Sequence, residues 1–321
     1  MIAWVSYQRR ADIMKDFWAY EDFYITSRFK SKYLKPLDYT LKIFLTIRVL
    51  IKYNPDVLWL QLPPTFLVFI GLVYKKIKKD KPYVIGDFHN SALRPKWFHF
   101  PLVRTSLNKI DALIAHNEQV RYELIQKKIS SSIIIVLEDM PFSYSSSDAK
   151  VEKNTVLFPC SFDIDEPLDV VIQAAKKIPH IKFNITGNFA GKVSQDIIDA
   201  SPANVNFTGY LSKEAFDMLF FESDVILGLT TRDNVQLSVS NEALSADKPM
   251  VLSNTTTLKD LFGDAAVFVD SLNAQSIAEG CSFAVDNVDE LQTKTMRLKE
   301  LRIERWEKQA SILKHKISKS R

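Results

Sequence analysis

Short apolar runs alternate with longer amphipathic segments along most of this sequence. In the first half, runs rich in β-branched and aromatic residues occupy positions 2–6, 23–26, 57–62, 83–85, 113–115 and 133–137. Such runs are typical of buried strands, whereas the apolar spacing across 36–53 predicts a helix. Strands that alternate with helices predict parallel sheets with right-handed crossovers.

The alternating pattern occurs twice. A second series of apolar runs covers 155–159, 182–186, 205–208, 225–229, 250–253 and 266–269. Between the series, residues 143–150 are small and polar, which is typical of a linker. We therefore predict an N-terminal Rossmann-like domain over 1–148 and a C-terminal one, with terminal helices, over 149–321. Their parallel sheets are expected to face a central cleft, with ligands at the carboxyl ends of the strands.

Composition excludes several classes of protein. Cys160 and Cys281 have no metal-ligand spacing and suggest buried thiols rather than a disulfide framework. The longest apolar run, 66–74, has nine residues, whereas a membrane span needs about 20. The first thirty residues lack the apolar core of a signal peptide, so a cytoplasmic protein is expected.

Charge is unevenly distributed. Residues 1–149 hold 22 Lys and Arg against 14 Asp and Glu, a net charge of +8, and the remainder carries −4. A basic first half indicates an anionic partner, and nucleic acid, anionic lipid and lipid-linked phosphate all qualify on charge. No nucleic-acid-binding signature is present, which disfavours nucleic acid. The basic and aromatic segments 74–81 and 94–104, with Trp97, Phe98 and Phe100, predict peripheral attachment to an anionic membrane, although solvated helix ends around a core aromatic cluster would give the same pattern.

The segment 227–254 offers groups suited to a diphosphate. A predicted strand delivers Thr230, Thr231, Arg232 and Asp233, and a short loop that includes Ser238 precedes a predicted helix that contains Glu242. A helix start and an arginine both favour phosphate, and a carboxylate can accept hydrogen bonds from two ribose hydroxyls. Alternatively, Glu242 is an acid of the first helical turn and Arg232 is a surface charge.

This segment resembles the donor-binding segment of GT-B glycosyltransferases, especially glycosyltransferase family 4. Glu242-Ala243 and the Lys248-Pro249 turn match the family pattern, whereas Asn234 replaces the first Glu and 235–237 replace the usual Gly-Phe-Gly. Upstream, 204–210 and 183–188 resemble the two segments that precede the donor loop. Because the loop 161–167 lacks the family's basic clamp, Arg232 is the candidate substitute. The resemblance implies a donor site made of Glu242, Arg232, Thr231, Asn234, Ser238, Gly187 and Asn188.

In the first half, His89 and Asp87 follow a buried strand. A histidine beside an acid can position an acceptor hydroxyl or contact a transferring phosphate, although a loop-capping histidine is the alternative. The family often has a histidine after the equivalent strand, which implies a catalytic role for His89, supported by Asp87. Arg9, Arg10 and Asn90 are further candidates for contact with acceptor or phosphate.

The triplet Asp163-Ile164-Asp165 follows a strand and could hold a divalent cation on a diphosphate. With Pro167 behind it, we interpret the triplet as the cap of a helix instead. No metal and no cofactor are therefore predicted.

The sequence thus predicts a metal-independent, retaining hexosyltransferase of polysaccharide biosynthesis. It would move sugar from a nucleotide-sugar donor to a lipid-linked or polysaccharide acceptor at the inner face of the cell membrane. Two alternatives stay open: a GT-B sugar-nucleotide 2-epimerase, and a glycosyltransferase-like binding subunit with little activity.

Overall fold

The computed structural model describes residues 1–29, 31–142 and 151–320. These residues divide into two compact units, one formed by Met1–Met140 with Glu304–Arg321 and the other by Pro141–Ile303. The predicted linker 143–150 lies outside the described residues, so the predicted boundary at 148/149 stays a prediction.

The first unit is built on a parallel sheet of six strands in the order β2-β1-β3-β4-β5-β6. The strands are β1 (Ile2–Ala3), β2 (Phe23–Tyr24), β3 (Val57–Leu62), β4 (Tyr83–Phe88), β5 (Ala112–Ala115) and β6 (Ile134–Val136). The helices are α1 (Arg9–Trp18), α2 (Lys35–Tyr53), α3 (Leu67–Ile77), α4 (Pro95–Phe98), α5 (Val103–Leu107) and α6 (Glu118–Gln126). All pairings between these strands are parallel, as predicted.

Helices cover both faces of this sheet. On one face, α2, α3, α5 and α6 pack over a core that includes Leu60, Val84 and Leu113. Phe98 lies in this core, so it is not available for the membrane contact predicted for it. The other face is covered by α1 together with a helix from the end of the chain.

Helix α2 confirms the predicted helix over 36–53. Pro36 stands in its first turn, where a missing N–H costs nothing, and Asn54 ends it in the left-handed conformation. Its fully buried side chains are Asp38, Lys42, Thr46 and Leu50, and Tyr39, Ile43, Leu45 and Val49 pack partly against the core. Asp38 and Lys42 pair at 3.5 Å, which satisfies both charges.

The second unit has the same architecture. Its parallel sheet has the order β12-β11-β10-β7-β8-β9. The strands are β7 (Glu152–Pro159), β8 (Lys182–Thr186), β9 (Val205–Gly209), β10 (Ser223–Gly228), β11 (Met250–Ser253) and β12 (Ala266–Val269). The helices are α7 (Leu168–Lys177), α8 (Gln195–Asp199), α9 (Lys213–Glu222), α10 (Ser238–Ser245), α11 (Thr256–Phe262), α12 (Ala274–Asp286) and α13 (Val288–Lys319).

The last helix, α13, contributes to both units. Its residues up to Ile303 belong to the second unit, and those from Glu304 onward belong to the first. Trp306, Ala310 and Leu313 are fully buried in the core beneath α1, at a spacing that aligns them on one helix face. The sequence analysis assigned this segment to the second domain, because its charged composition gave no sign that it completes the first core.

No helix among the described residues is both long and apolar enough to cross a bilayer.

Candidate functional site

Polar side chains gather at the carboxyl ends of three strands of the first sheet. Gln8 follows β1, Gln61 lies near the end of β3, and His89 directly follows β4. The Nε2 atoms of Gln8 and Gln61 lie 3.1 and 3.3 Å from Nε2 of His89. Because Oε1 of Gln8 accepts from the backbone N–H of Ala11 at 3.1 Å, its amide N–H group is left to face His89. Nε2 of His89 therefore accepts, and Nδ1 carries the proton of the neutral ring.

The electrostatics of this edge keep His89 uncharged. Burial lowers the pKa of His89 to about 3, and the neighbouring His116 lowers it further. The two rings pack edge to face with centroids 4.4 Å apart. A proton-transfer catalyst works best with a pKa near the operating pH, so His89 suits hydrogen-bond donation and positioning rather than proton abstraction.

Asp87 lies inside β4 rather than in a loop after it, and it is only 1% exposed. Its Oδ1 accepts from Nε2 of His116 at 2.7 Å, and its Oδ2 accepts from the indole of Trp59 at 3.2 Å. Burial alone would raise the pKa of Asp87, but Arg10, with Nε 3.8 Å away, and then His116 hold that pKa well below its usual range. Asp87 is therefore a buried anion that positions His116, and it lies within the strand rather than after it, as the sequence analysis had placed it.

Arg10, like Asp87, is buried. It is 7% exposed, its Nη2 donates to the carbonyl of Leu137 at 2.6 Å, and its Nη1 donates to the carbonyl of Glu138 at 2.8 Å and to the carboxylate of Asp139. Burial would lower the pKa of Arg10, but Asp139 and then Asp87 raise it. These contacts hold both terminal nitrogens inside the unit, and a contact of Arg10 with phosphate stays a prediction.

The other two phosphate candidates of this unit lie near His89 in the sequence or in space. Arg9 is half-buried in the first turn of α1, and Asn90 opens a short 3-10 helix directly after His89. Their contacts with acceptor or phosphate stay predictions.

One group of described residues has donor atoms close enough together to hold a metal ion. It consists of Asp87, His89 and His116, whose ligand atoms lie within 4.8 Å of one another. The nearby Arg10 guanidinium opposes a cation there, and two amide groups already face Nε2 of His89. These residues therefore do not fit a metal well.

In the second unit, Asp165 organises the loop that follows β10. Its Oδ2 accepts from Thr230 at 3.1 Å, and its Oδ1 pairs with Nη2 of Arg232 at 3.1 Å. The backbone N–H of Thr231 donates to the carbonyl of Asp165 at 2.9 Å. The predicted helix cap is wrong, since Pro167 is the N-cap of α7 and no described side chain caps that helix.

Helix α10 begins at Ser238, which the sequence analysis placed ahead of the helix. Glu242 therefore lies in its second turn, half-buried, and not in the first turn. No described side chain caps the N-terminus of α10, so its first backbone N–H groups can receive an anion. Asn234 stands in the loop between Arg232 and this helix start.

The loops after β7 and β8 approach each other closely. Gly187 has a φ of +142°, and a Cβ there would lie 2.0 Å from the carbonyl oxygen of Cys160, so only glycine fits. Asn188 follows as an exposed side chain. Lys192 then donates from Nζ to the carbonyl of Ser161 at 2.6 Å. This lysine brings a cation to the loop where the sequence analysis found none, and its 31-residue separation from Ser161 left no motif to reveal it.

The cationic side chains of Arg232 and Lys192 and the uncapped start of α10 thus lie in segments that follow the carboxyl ends of strands in the second sheet. Arg232 and Lys192 contact opposite ends of segment 161–165. Guanidinium, ammonium and helix N–H groups are the donors that proteins use for diphosphates.

Comparison with known proteins identifies the class. Residues 140–298 match the model of the family described as glycosyl transferases group 1. The fold matches HepE of Anabaena in complex with UDP-glucose, with 13% identity over 95% of this chain and 88% of that one, and a TM-score of 0.70. It also matches sucrose-phosphate synthase of Thermosynechococcus elongatus, with 14% identity, coverage of 91% and 79%, and a TM-score of 0.67. No curated protein matches the sequence.

The family match covers the unit that contains Arg232, Asp165 and α10, and the structural matches span both units. The chain is therefore a glycosyltransferase of the GT-B fold, and its residues 140–298 match the model of glycosyl transferases group 1.

Proposed function

We propose that this enzyme transfers a hexose from a nucleoside diphosphate sugar to a lipid-linked or polysaccharide acceptor during polysaccharide biosynthesis. The reaction retains anomeric configuration and needs no metal, as in glycosyltransferase family 4. The enzyme works as a peripheral protein on the cytoplasmic face of the cell membrane.

The observation that carries this proposal is the donor loop of the second unit. The open start of α10 and the Arg232 guanidinium supply donors for a diphosphate, and Glu242 supplies an acceptor for ribose. Solved neighbours with the same fold contain UDP-glucose or UDP. In this proposal, positive charge from Arg232 and Lys192 neutralises the leaving diphosphate in place of a divalent cation.

In the first unit, His89 supports the proposed transfer step. A neutral imidazole whose Nε2 is held by two glutamines can donate from Nδ1 to an acceptor hydroxyl or a departing phosphate oxygen. The basic charge of residues 1–149 favours an acceptor that carries phosphate.

The Glu242→Ala variant tests the ribose contact. Hydrogen bonds to a charged acceptor contribute about 1.5–3 kcal/mol, so UDP should bind roughly 10–150-fold more weakly by calorimetry. Glu279→Ala, which removes an exposed acid from α12, is the matched control and should bind UDP as the wild type does. Unchanged UDP affinity in a folded Glu242→Ala protein would remove Glu242 from the site.

The Arg232→Ala variant tests the diphosphate contact. We expect UDP to bind about 10–100-fold more weakly, because a charge-assisted pair is lost, while uridine affinity stays within about twofold. Arg297→Ala, an exposed arginine of α13, is the control. Equal losses for UDP and uridine would show that Arg232 does not contact the diphosphate.

The overall reaction is tested by incubating the protein with a panel of nucleotide sugars and membrane lipid extract, followed by chromatography of the products. A sugar-bearing lipid or glycan that appears only with active protein supports the proposal. Epimerised nucleotide sugar without transfer would support the 2-epimerase alternative instead.

A binding subunit with little activity is the second candidate. It is favoured by Asn234, which stands where the resembling family has a glutamate near the sugar. Tight UDP-sugar binding with neither transfer nor donor hydrolysis would support it.

A further inference from the structure

Helix α2 carries large apolar side chains on its outward side. The side that packs on the core fully buries Asp38, Lys42, Thr46 and Leu50, and it packs Tyr39, Ile43, Leu45 and Val49 partly against the core. The outward side exposes Leu37 (54%), Phe44 (61%), Ile47 (43%) and Ile51 (74%), at helical spacing. A surface helix of a globular protein normally exposes polar side chains on that side, so this stripe is built to contact something outside the unit.

The exposed apolar surface continues onto α3. Val73 is 62% exposed and Ile77 is 76% exposed. The hydroxyl of Tyr74, which lies between them on α3, donates to the carbonyl of Leu50 on α2 at 3.2 Å, so the two helices lie side by side. We call the surface formed by Leu37, Phe44, Ile47, Ile51, Val73 and Ile77 the α2–α3 face.

Segment 99–104 extends this surface next to α3. Phe100 packs against Phe69 of α3, with ring centroids 6.2 Å apart, and Leu102 is largely exposed. Beside Leu102, a cavity of about 460 Å³ is lined by the cationic side chains of Arg104, Lys127 and Lys128. Apolar side chains and cations therefore occur together here as well.

The charged side chains exposed on α2 and α3 have one sign. Lys35, Arg48 and Lys52 on α2 and Lys76 on α3 are exposed, whereas the one acid of α2 is the buried Asp38 and α3 has no acid. Lys75 belongs to the basic segment 74–81 but pairs with Asp111 at 2.5 Å. Its charge therefore contributes less to the binding of an outside partner. An apolar stripe flanked by exposed cations complements a bilayer with anionic headgroups.

We infer that the α2–α3 face is the surface with which this enzyme lies on an anionic bilayer. Its apolar side chains enter the boundary between headgroups and acyl chains, and its cations contact lipid phosphates. The inference rests on the membrane location in the proposed function but not on the reaction. A second copy of the chain is a poorer occupant, because two-fold pairing would set one basic face against an identical basic face.

The test is co-sedimentation of the full chain with vesicles of phosphatidylcholine containing phosphatidylglycerol, and with pure phosphatidylcholine vesicles. Wild-type protein should bind the anionic vesicles at low salt, and Phe44→Glu with Ile51→Glu should reduce the partition coefficient at least tenfold. Arg48→Gln with Lys52→Gln should reduce it about 25-fold, since each cation near an anionic surface contributes roughly fivefold. Ile312→Glu, which replaces an exposed apolar residue of α13 on the opposite face, should bind as the wild type does.

Every outcome decides for or against the inference. All substituted positions are exposed, so circular dichroism and UDP binding should be unchanged, which separates loss of the surface from loss of the fold. Wild-type protein that ignores anionic vesicles, or a Phe44→Glu/Ile51→Glu protein that binds them normally, overturns it. The inference is also overturned if the wild type is a dimer that Phe44→Glu dissociates and if anionic vesicles do not bind the wild type. If vesicle binding holds but no sugar is transferred, the proposed reaction fails and the surface stands.

Discussion

The His89→Ala variant is expected to lower kcat about 10²–10³-fold while the affinity for UDP stays within about twofold. Loss of one well-placed donor to developing charge typically has an effect of this size. UDP affinity should survive because the groups assigned to the nucleotide, Arg232 and Glu242, belong to the other unit. His99→Ala, which removes an exposed histidine of the same unit, is the control and should leave kcat unchanged. A near-normal rate for His89→Ala would exclude a catalytic role.

The pH dependence gives a second measurement on the same residue. Since burial lowers the pKa of His89 to about 3, the ring stays neutral at any pH above about 4. We therefore expect no loss of kcat from protonation of His89 between pH 5 and 8. A rate that falls below pH 6.5 in the wild type but not in His89→Gln would contradict the neutral-donor role.

The Asp87→Asn variant is expected to destabilise the protein by about 3–5 kcal/mol, because it leaves the buried Arg10 with an incomplete set of counter-charges. Urea unfolding followed by tryptophan fluorescence measures the change, and Trp59 contacts Asp87 directly. Asp16→Asn, an exposed acid of α1, should change the free energy of unfolding by less than about 0.5 kcal/mol.

The pKa of Asp87 sets the sign of a further effect. Because that pKa lies well below its usual value near 4, the folded state binds fewer protons than the unfolded state in acid. The contribution of Asp87 to stability is thus complete above about pH 5 and is lost progressively as the pH falls below it. Asp87→Asn should lack this dependence. An Asp87→Asn protein with the stability of the wild type but without turnover would instead support the catalytic role that the sequence predicts for Asp87.

The fold could be predicted from the sequence because one arrangement buries an alternating series of strands and helices in a simple way. Apolar runs of strand length separated by helical segments occur in two series, and parallel sheets with crossover helices bury them. The burial of three polar side chains on α2 was not accessible, because it depends on partners inside the unit. Lys42 pairs with Asp38, and Thr46 accepts from the indole of Trp4.

The functional site could be predicted only in part, because several of its features depend on contacts between residues that are distant in the sequence. The sequence ends β4 at residue 85 because a carboxylate is rarely buried in a strand, yet Arg10, 77 positions earlier, makes a buried Asp87 tolerable. The placement of Lys192 beside Ser161 also depends on a contact between distant segments. The start of α10 was misplaced because its first residues, Ser-Val-Ser-Asn, are weak helix formers that the tertiary environment holds in a helix.

The path of α13 has a consequence for how the protein is made. Trp306, Ala310 and Leu313 complete the core that contains Met14 and Ile114, yet 163 residues of the second unit, Pro141–Ile303, separate them from the rest of the first unit. At a ribosomal rate of about 5–20 residues per second, the N-terminal segment waits roughly 8–30 s for its missing helix. During that interval the part of the core that Trp306, Ala310 and Leu313 cover is open to water and to chaperones. The unit translated first therefore cannot complete its core until the second unit has been synthesised.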